Sequence, residues 1–124
     1  MLTVANDLLL SNYRKLIEAA LALDVPVITV RDCISSKPIN GFFIFRHDVE
    51  WRCSNALRMA EIEREYGIHA TYYFHGPHRK SVFRPREIHE FAAMGHEVGY
   101  HYETLDQCNG DFDAARRLFI RRLV

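Results

Sequence analysis

The stretch GFFIFRHDVE, residues 41–50, places a continuous apolar run directly before a cluster of polar side chains. A run of this kind is typical of a strand that is buried on both faces of a parallel sheet. We therefore predict a strand over residues 41–45, with Arg46, His47 and Asp48 at its C-terminal end. In parallel α/β folds, strand ends and the loops that follow them form the rim where functional sites are built.

The rest of the chain alternates predicted helices and strands. Apolar periodicity and stop signals predict four helices: one N-capped by Ser11, one from Cys53 to near Gly67, one from Pro85 to Gly95, and one from near Asp111 onward. Short β-branched or aromatic runs predict strands over 26–30, 69–75 and 97–101, in addition to 41–45.

Alternating strands and helices indicate an α/β protein with a mainly parallel sheet. A complete (β/α)₈ barrel takes about 250 residues, or roughly 30 per unit. The 124 residues of this chain are therefore expected to hold about four βα units of a deformed (β/α) barrel. Because the last predicted helix reaches Val124 without a stop signal, we expect residues 1–124 to be the N-terminal part of a single, truncated domain.

Composition argues against several classes of protein. Lys and Arg number 16 and Asp and Glu number 16, so there is no excess positive charge to attract nucleic acid or anionic lipid. No stretch is long and apolar enough to predict a membrane span or a signal peptide. Three scattered cysteines fit a reducing compartment. We expect a soluble, cytoplasmic protein that binds neither nucleic acid nor membranes.

A second polar cluster lies in GHEVGYHYETLD, residues 95–106. His101 ends the predicted strand, Glu103 would share its face on a continuing strand, and Asp106 follows. An imidazole and carboxylates that converge with Asp48 would suit zinc or a neighbouring divalent metal. Glu103 could equally be a solvated surface residue, and a solvated surface is the favoured interpretation for Asp106. His75 ends another predicted strand on the same rim, and both His75 and Arg46 are candidates for lining a pocket.

These motifs resemble the polysaccharide deacetylases, the carbohydrate esterases that share the chitooligosaccharide deacetylase homology domain. Residues 95–101, GHEVGYH, are similar to that family's Gly-His-Glu-Ile-Gly-x-His, and residues 67–74, GIHATYYF, to its Gly-x-x-Ala-Thr-Phe-Phe strand. Residues 45–49, FRHDV, fall where the family has Thr-Phe-Asp-Asp-Gly. The chain most resembles a divergent branch that reads Arg-His-Asp-Val-Asp and Gly-x-His-Tyr-Glu.

The resemblance implies roles for individual residues. Asp48 matches the metal-binding Asp and His101 the first metal-binding His, which implies a divalent metal, zinc above all. His47 falls at the position of the general-base Asp. A neutral imidazole can take a proton near neutral pH, but His47 could equally bind the metal or hold Asp48 in place. In the family reaction the metal polarises an acetyl carbonyl on a carbohydrate and holds the attacking water.

The chain also departs from the family pattern. Leu105 stands where the family has its second histidine ligand, and Glu103 or Asp106 could supply the missing ligand. The later family motifs, which bring the catalytic-acid histidine, have no counterpart. Three hypotheses follow: a carbohydrate deacetylase, an inactive fragment or metal-binding module that needs another chain, and an unrelated metal-dependent hydrolase on a barrel scaffold. An incomplete barrel would also favour self-association.

Overall fold

The structure of the protein is a computed structural model that describes residues 9–37, 40–50, 52–76 and 85–123. Over these residues the chain forms six helices and three strands. In chain order they are α1 (Leu10–Leu21), α2 (Val30–Ser36), β1 (Arg46–Val49), α3 (Cys53–Glu65), β2 (Thr71–His75), α4 (Pro85–Ala93), β3 (Glu97–His101), α5 (Thr104–Gln107) and α6 (Phe112–Leu123).

The three strands form one parallel sheet in the order β1-β2-β3. The register pairs Asp48 with Tyr73 and Tyr73 with Gly99, and it pairs His75 with His101 at the C-terminal end. The predicted α/β class with a parallel sheet is therefore confirmed for the described residues.

The strand predicted over 26–30 is wrong. The structure has one isolated parallel bridge there, between Val27 and Phe43, and α2 follows directly. Thr29 and Asp32 form a capping box: the Thr29 hydroxyl accepts from the Asp32 backbone N–H, and the Asp32 carboxylate accepts from that of Thr29. This reciprocal cap begins a helix where the β-branched run had suggested a strand.

The strand predicted over 41–45 is displaced toward the C-terminus. Pairing with β2 begins at Arg46, opposite Thr71, so the polar cluster is the strand itself and not the loop after it. Phe45 just precedes the strand and packs against two clusters of buried apolar residues, one that contains Tyr72 and one that contains Ile17. Since side chains alternate between the two faces of a strand, neighbours in the polar cluster point in opposite directions.

Other boundaries agree more closely with the sequence predictions. The strand predicted over 97–101 is β3, and the one predicted over 69–75 is the shorter β2. Helix α4 begins at Pro85, as predicted. The predicted N-cap at Ser11 is wrong, because helix α1 begins at Leu10 with Leu9 at the N-cap position and no side-chain cap hydrogen bond. The short helix α5 was not predicted.

Helices α3 and α4 cover one face of the sheet. Val49, Tyr72 and Phe74 pack there against Ala60 of α3 and Phe91 of α4. We call this the helix-covered face. The opposite face, which we call the polar face, carries the side chains that alternate with these: Arg46, Asp48, Thr71, Tyr73, His75, Glu97 and His101, with Gly99 among them.

Candidate metal centre

Two histidines meet at the C-terminal end of the polar face. His75 ends β2 and His101 ends β3, and the register places them directly opposite each other. Their ring centroids are 5.5 Å apart. The parallel pairing of β2 and β3 therefore brings two imidazoles to the same edge of the sheet.

Glu103 completes a group that could hold a metal ion. It follows β3 by two residues, and its Oε2 lies 2.9 Å from Nε2 of His75. One potential ligand atom from each of His75, His101 and Glu103 lies within 4.8 Å of the others. His75 is buried, His101 half-buried and Glu103 exposed, so the group is anchored in the protein on one side and open to solvent on the other.

One nitrogen of His101 is a second feature that favours a metal site. Nδ1 of His101 is buried, and it finds no hydrogen-bond partner in the described part of the chain. A buried polar atom without a partner costs roughly 1–3 kcal/mol, so such atoms in folded proteins call for an explanation. A coordinated cation would satisfy this nitrogen, and the donor set of two imidazoles and a carboxylate fits a divalent metal.

Asp48 lies beside this group. Its Oδ2 is 3.6 Å from Nε2 of His101, so the predicted proximity of these two residues is confirmed. Arg46 holds the same carboxylate through two donors, Nε at 3.1 Å from Oδ1 and Nη2 at 3.3 Å from Oδ2. The guanidinium of Arg46 in turn lies over the Tyr73 ring, 4.8 Å from its centroid. Asp48 is thus oriented toward the centre, and its role as a ligand stays a prediction.

His47 lies on the other face of the sheet. Its Nε2 is 2.6 Å from Oε1 of Glu63 in α3 and 3.3 Å from the Tyr13 hydroxyl. Its ring centroid is 4.6 Å from that of Tyr72, on the helix-covered face. The alternation of side chains along β1 separates His47 from its neighbour Asp48. The structure does not bring His47 to the candidate centre, and its role as a base stays an untested prediction.

The remaining positions from the family comparison, Leu105 and Asp106, lie on the helix that follows Glu103. Leu105 and Asp106 both belong to α5 and are exposed. Of the two carboxylates suggested for the missing ligand, the structure brings Glu103 to the histidines, whereas Asp106 does not belong to the group within the described residues. His75, which the sequence suggested only as pocket lining, joins the group because the register sets it opposite His101.

Glu63 is a polar residue that sequence analysis missed. It is fully buried on α3 and accepts hydrogen bonds from Tyr72, His47 and Tyr13. A signal for it exists in the sequence: Glu63 lies three residues after Ala60, on the continuation of the apolar stripe of α3. An acidic residue on a buried stripe predicts a buried polar network.

Comparisons with known proteins give no assignment, since no family model, curated protein or solved structure matches this chain. The resemblance to the polysaccharide deacetylases therefore rests on the sequence motifs alone. Among the described residues, the helices all fall short of the length and apolar character that a membrane span needs.

Proposed function

We propose that this chain carries the divalent metal site of a hydrolase similar to the polysaccharide deacetylases, with zinc as the metal and an acetylated carbohydrate as the substrate. The observation that carries the proposal is the meeting of His75, His101 and Glu103 at one end of the polar face. Imidazole nitrogens with carboxylate oxygens are a ligand set that zinc favours, and catalytic zinc sites use three such ligands with one position left open.

Each residue of the centre has a role in this proposal. His75 and His101 supply nitrogen ligands and Glu103 an oxygen ligand, so that His75 takes the part of the histidine that Leu105 replaces. Asp48 borders the open side next to His101, and Arg46 fixes the direction of its carboxylate. When bound, the metal would polarise an acetyl carbonyl and lower the pKa of a water molecule.

Beside the centre, Arg46 and Asp48 line a groove of about 510 Å³ that extends toward Asn55 and Met59 of α3, although none of the three proposed ligands lines it. Ligand sites usually measure about 300–1,000 Å³, so this groove has room for part of a sugar chain. We also propose that the polar face lines the interior of a partial (β/α) barrel, because parallel sheets are usually covered on both faces.

Zinc binding by the full chain tests the proposed centre. We expect the wild type to bind one zinc ion in equilibrium dialysis and calorimetry, and H75Q, H101Q and E103Q each to weaken binding by more than about 100-fold, because loss of a residue that merely supports a ligand already costs roughly 10–100-fold. H89Q is the matched control, since His89 is exposed on α4. Failure of the wild type to bind, or an equal loss in H89Q, would reject the centre.

Acetate release tests the reaction. The zinc-loaded chain should release acetate from an acetylated chitooligosaccharide, and a chelator should stop the release, while simple esters and amides assayed in parallel report a different hydrolase. A metal-binding module without hydrolysis is the second candidate, and a specific observation favours it: His47, at the family's base position, points to the helix-covered face. Stoichiometric zinc binding without acetate release would support that candidate.

A further inference from the structure

Glu63 is the most thoroughly enclosed carboxylate that the structure describes. It has no exposed surface, and an ionised carboxylate is costly to bury unless its oxygens are hydrogen-bonded. The Tyr72 hydroxyl donates to Oε2 at 2.6 Å, Nε2 of His47 lies 2.6 Å from Oε1, and the Tyr13 hydroxyl donates to the same oxygen. Both carboxylate oxygens are therefore engaged.

The partners of Glu63 come from separate elements. Tyr13 belongs to α1, His47 to β1 and Tyr72 to β2, so one carboxylate links α3 to three other elements. Burial, together with the Glu63 carboxylate, raises the pKa of Tyr13 and of Tyr72. Both phenols thus stay protonated at neutral pH and remain donors. A buried network with every member satisfied fixes the geometry of the elements that it joins.

Strand β1 contacts this network through His47. Over Arg46–Val49 it pairs with β2 alone among the described residues, so one edge has no strand to hold it. On the helix-covered face two side chains anchor it, His47 to Glu63 and Val49 in the hydrophobic core. Asp48 lies between these two anchors and points the opposite way, toward His101.

We infer that Glu63 is a positioning residue for the candidate metal centre: by holding His47 from behind, it fixes β1 so that the Asp48 carboxylate faces His101. The inference rests on the proposed function only for its link to metal binding. The contact between Asp48 and His101 is a property of the protein itself, so it can be tested without any metal.

The metal-free test follows the imidazole signals of His101 by NMR in the full chain at fixed pH, assigned with H101Q. Asp48→Asn should shift these signals, because it removes the neighbouring charge. Glu63→Gln should shift them as well, since an amide offers a single acceptor oxygen to three donors and the His47 anchor loosens. Glu61→Gln is the matched control: Glu61 is exposed on the same helix, and its removal should leave the His101 signals in place.

A second variant keeps the inference falsifiable if Glu63→Gln fails to fold. Tyr72→Phe removes one donor from the network and preserves the packed ring, and it should produce a smaller shift in the same signals. If the His101 signals do not move in any folded variant of the network, or if Asp48→Asn itself leaves them unchanged, the inference is overturned.

Zinc affinity then separates positioning from general destabilisation. Glu63→Gln should weaken zinc binding about 10–100-fold at a temperature where circular dichroism shows the fold intact. The double variant with Asp48→Asn should lose no more than Asp48→Asn alone, because the two act through one contact. Additive losses would overturn the inference. If the wild type binds no zinc and the His101 signals still move with Glu63, the proposed function fails and the positioning role stands.

Discussion

His96 is enclosed between two backbone groups where β3 begins. Its Nδ1 accepts from the Ala70 N–H at 3.1 Å, which leaves Nε2 to donate to the Ala60 carbonyl at 3.0 Å. Its ring is fully engaged as a neutral imidazole, and burial lowers its pKa from 6.5. The two hydrogen bonds give this histidine a structural role in joining the start of β3 to α3 and to the residue before β2.

The free energy of unfolding should therefore fall as the pH drops below 6.5, the ordinary value for histidine. Between that value and the lower folded pKa, the unfolded chain takes up a proton that the folded chain excludes, so acid favours unfolding. Urea unfolding at a series of pH values should show this slope in the wild type and a shallower one in H96Q, because glutamine offers an acceptor and a donor but does not titrate. An unchanged slope in H96Q would contradict the prediction, and H89Q serves as the exposed control.

For single residues, the sequence predicted those positions that follow from the general rules of parallel sheets. Asp48 and His101 were expected to meet because strand ends share one rim, and they do. The direction of His47 and the partnership of His75 with His101 could not be read, because both depend on the register of β1, β2 and β3. A strand boundary that moves by one residue exchanges the two faces of the sheet.

Gly99 of β3 leaves room on the polar face for the Tyr73 ring of the neighbouring strand β2. A Cβ added there would lie 2.4 Å from Cδ1 and Cε1 of Tyr73, far inside contact distance. The Tyr73 ring therefore occupies the space above Gly99, and Arg46 lies over that ring. Strand β3 needs a glycine at this position because the Tyr73 side chain of β2 lies across the Gly99 backbone.

The variant G99A should destabilise the protein by about 1–3 kcal/mol, the usual cost of adding a methyl group to a packed site. Tyr73 would have to move, and Arg46 with it. G41A is the matched control, because a Cβ at Gly41 meets no atom within 4 Å. Urea unfolding of both variants measures the difference, and equal stability of G99A and the wild type would show that the Tyr73 ring moves aside freely.

Among the secondary-structure elements, the long helices were located from their apolar periodicity and from the proline and glycine residues at their ends. Pro85 marks the start of α4, and Gly67, with a φ of 71°, follows the end of α3. The wrong predictions concern short elements, whose position depends on a local cap or on pairing with a distant strand. A capping box at Thr29 produced α2 from a β-branched segment, and β1 begins at Arg46 only because β2 begins opposite it at Thr71. The pairing of β1 with β2 cannot be read from one short stretch of sequence, because the two strands are separated by α3.

Among the described residues, large apolar side chains are exposed at several places, and one of these places lies around α5 and α6. Around α5 and α6, three large apolar residues that are open to solvent line a groove of about 340 Å³. We call them the α5–α6 surface: Tyr102 at 59% exposure, Leu105 at 40% and Phe112 at 76%. With a net charge of zero, copies of the chain do not repel one another at long range. Contiguous exposed apolar side chains favour association.

The α5–α6 surface should drive self-association of the isolated chain. We expect light scattering coupled to size exclusion to give a mass that rises with protein concentration, and F112S to reduce that rise because it removes the most exposed aromatic side chain of the surface. I34S is the matched control, since Ile34 on α2 is 71% exposed but lies outside the surface, and its mass profile should follow the wild type. Equal effects of the two substitutions would mean that exposed apolar area in general, and not this surface, causes association. A wild type that keeps the monomer mass at every concentration would reject the prediction outright, and the proposed partial barrel would then have to be covered within a single chain.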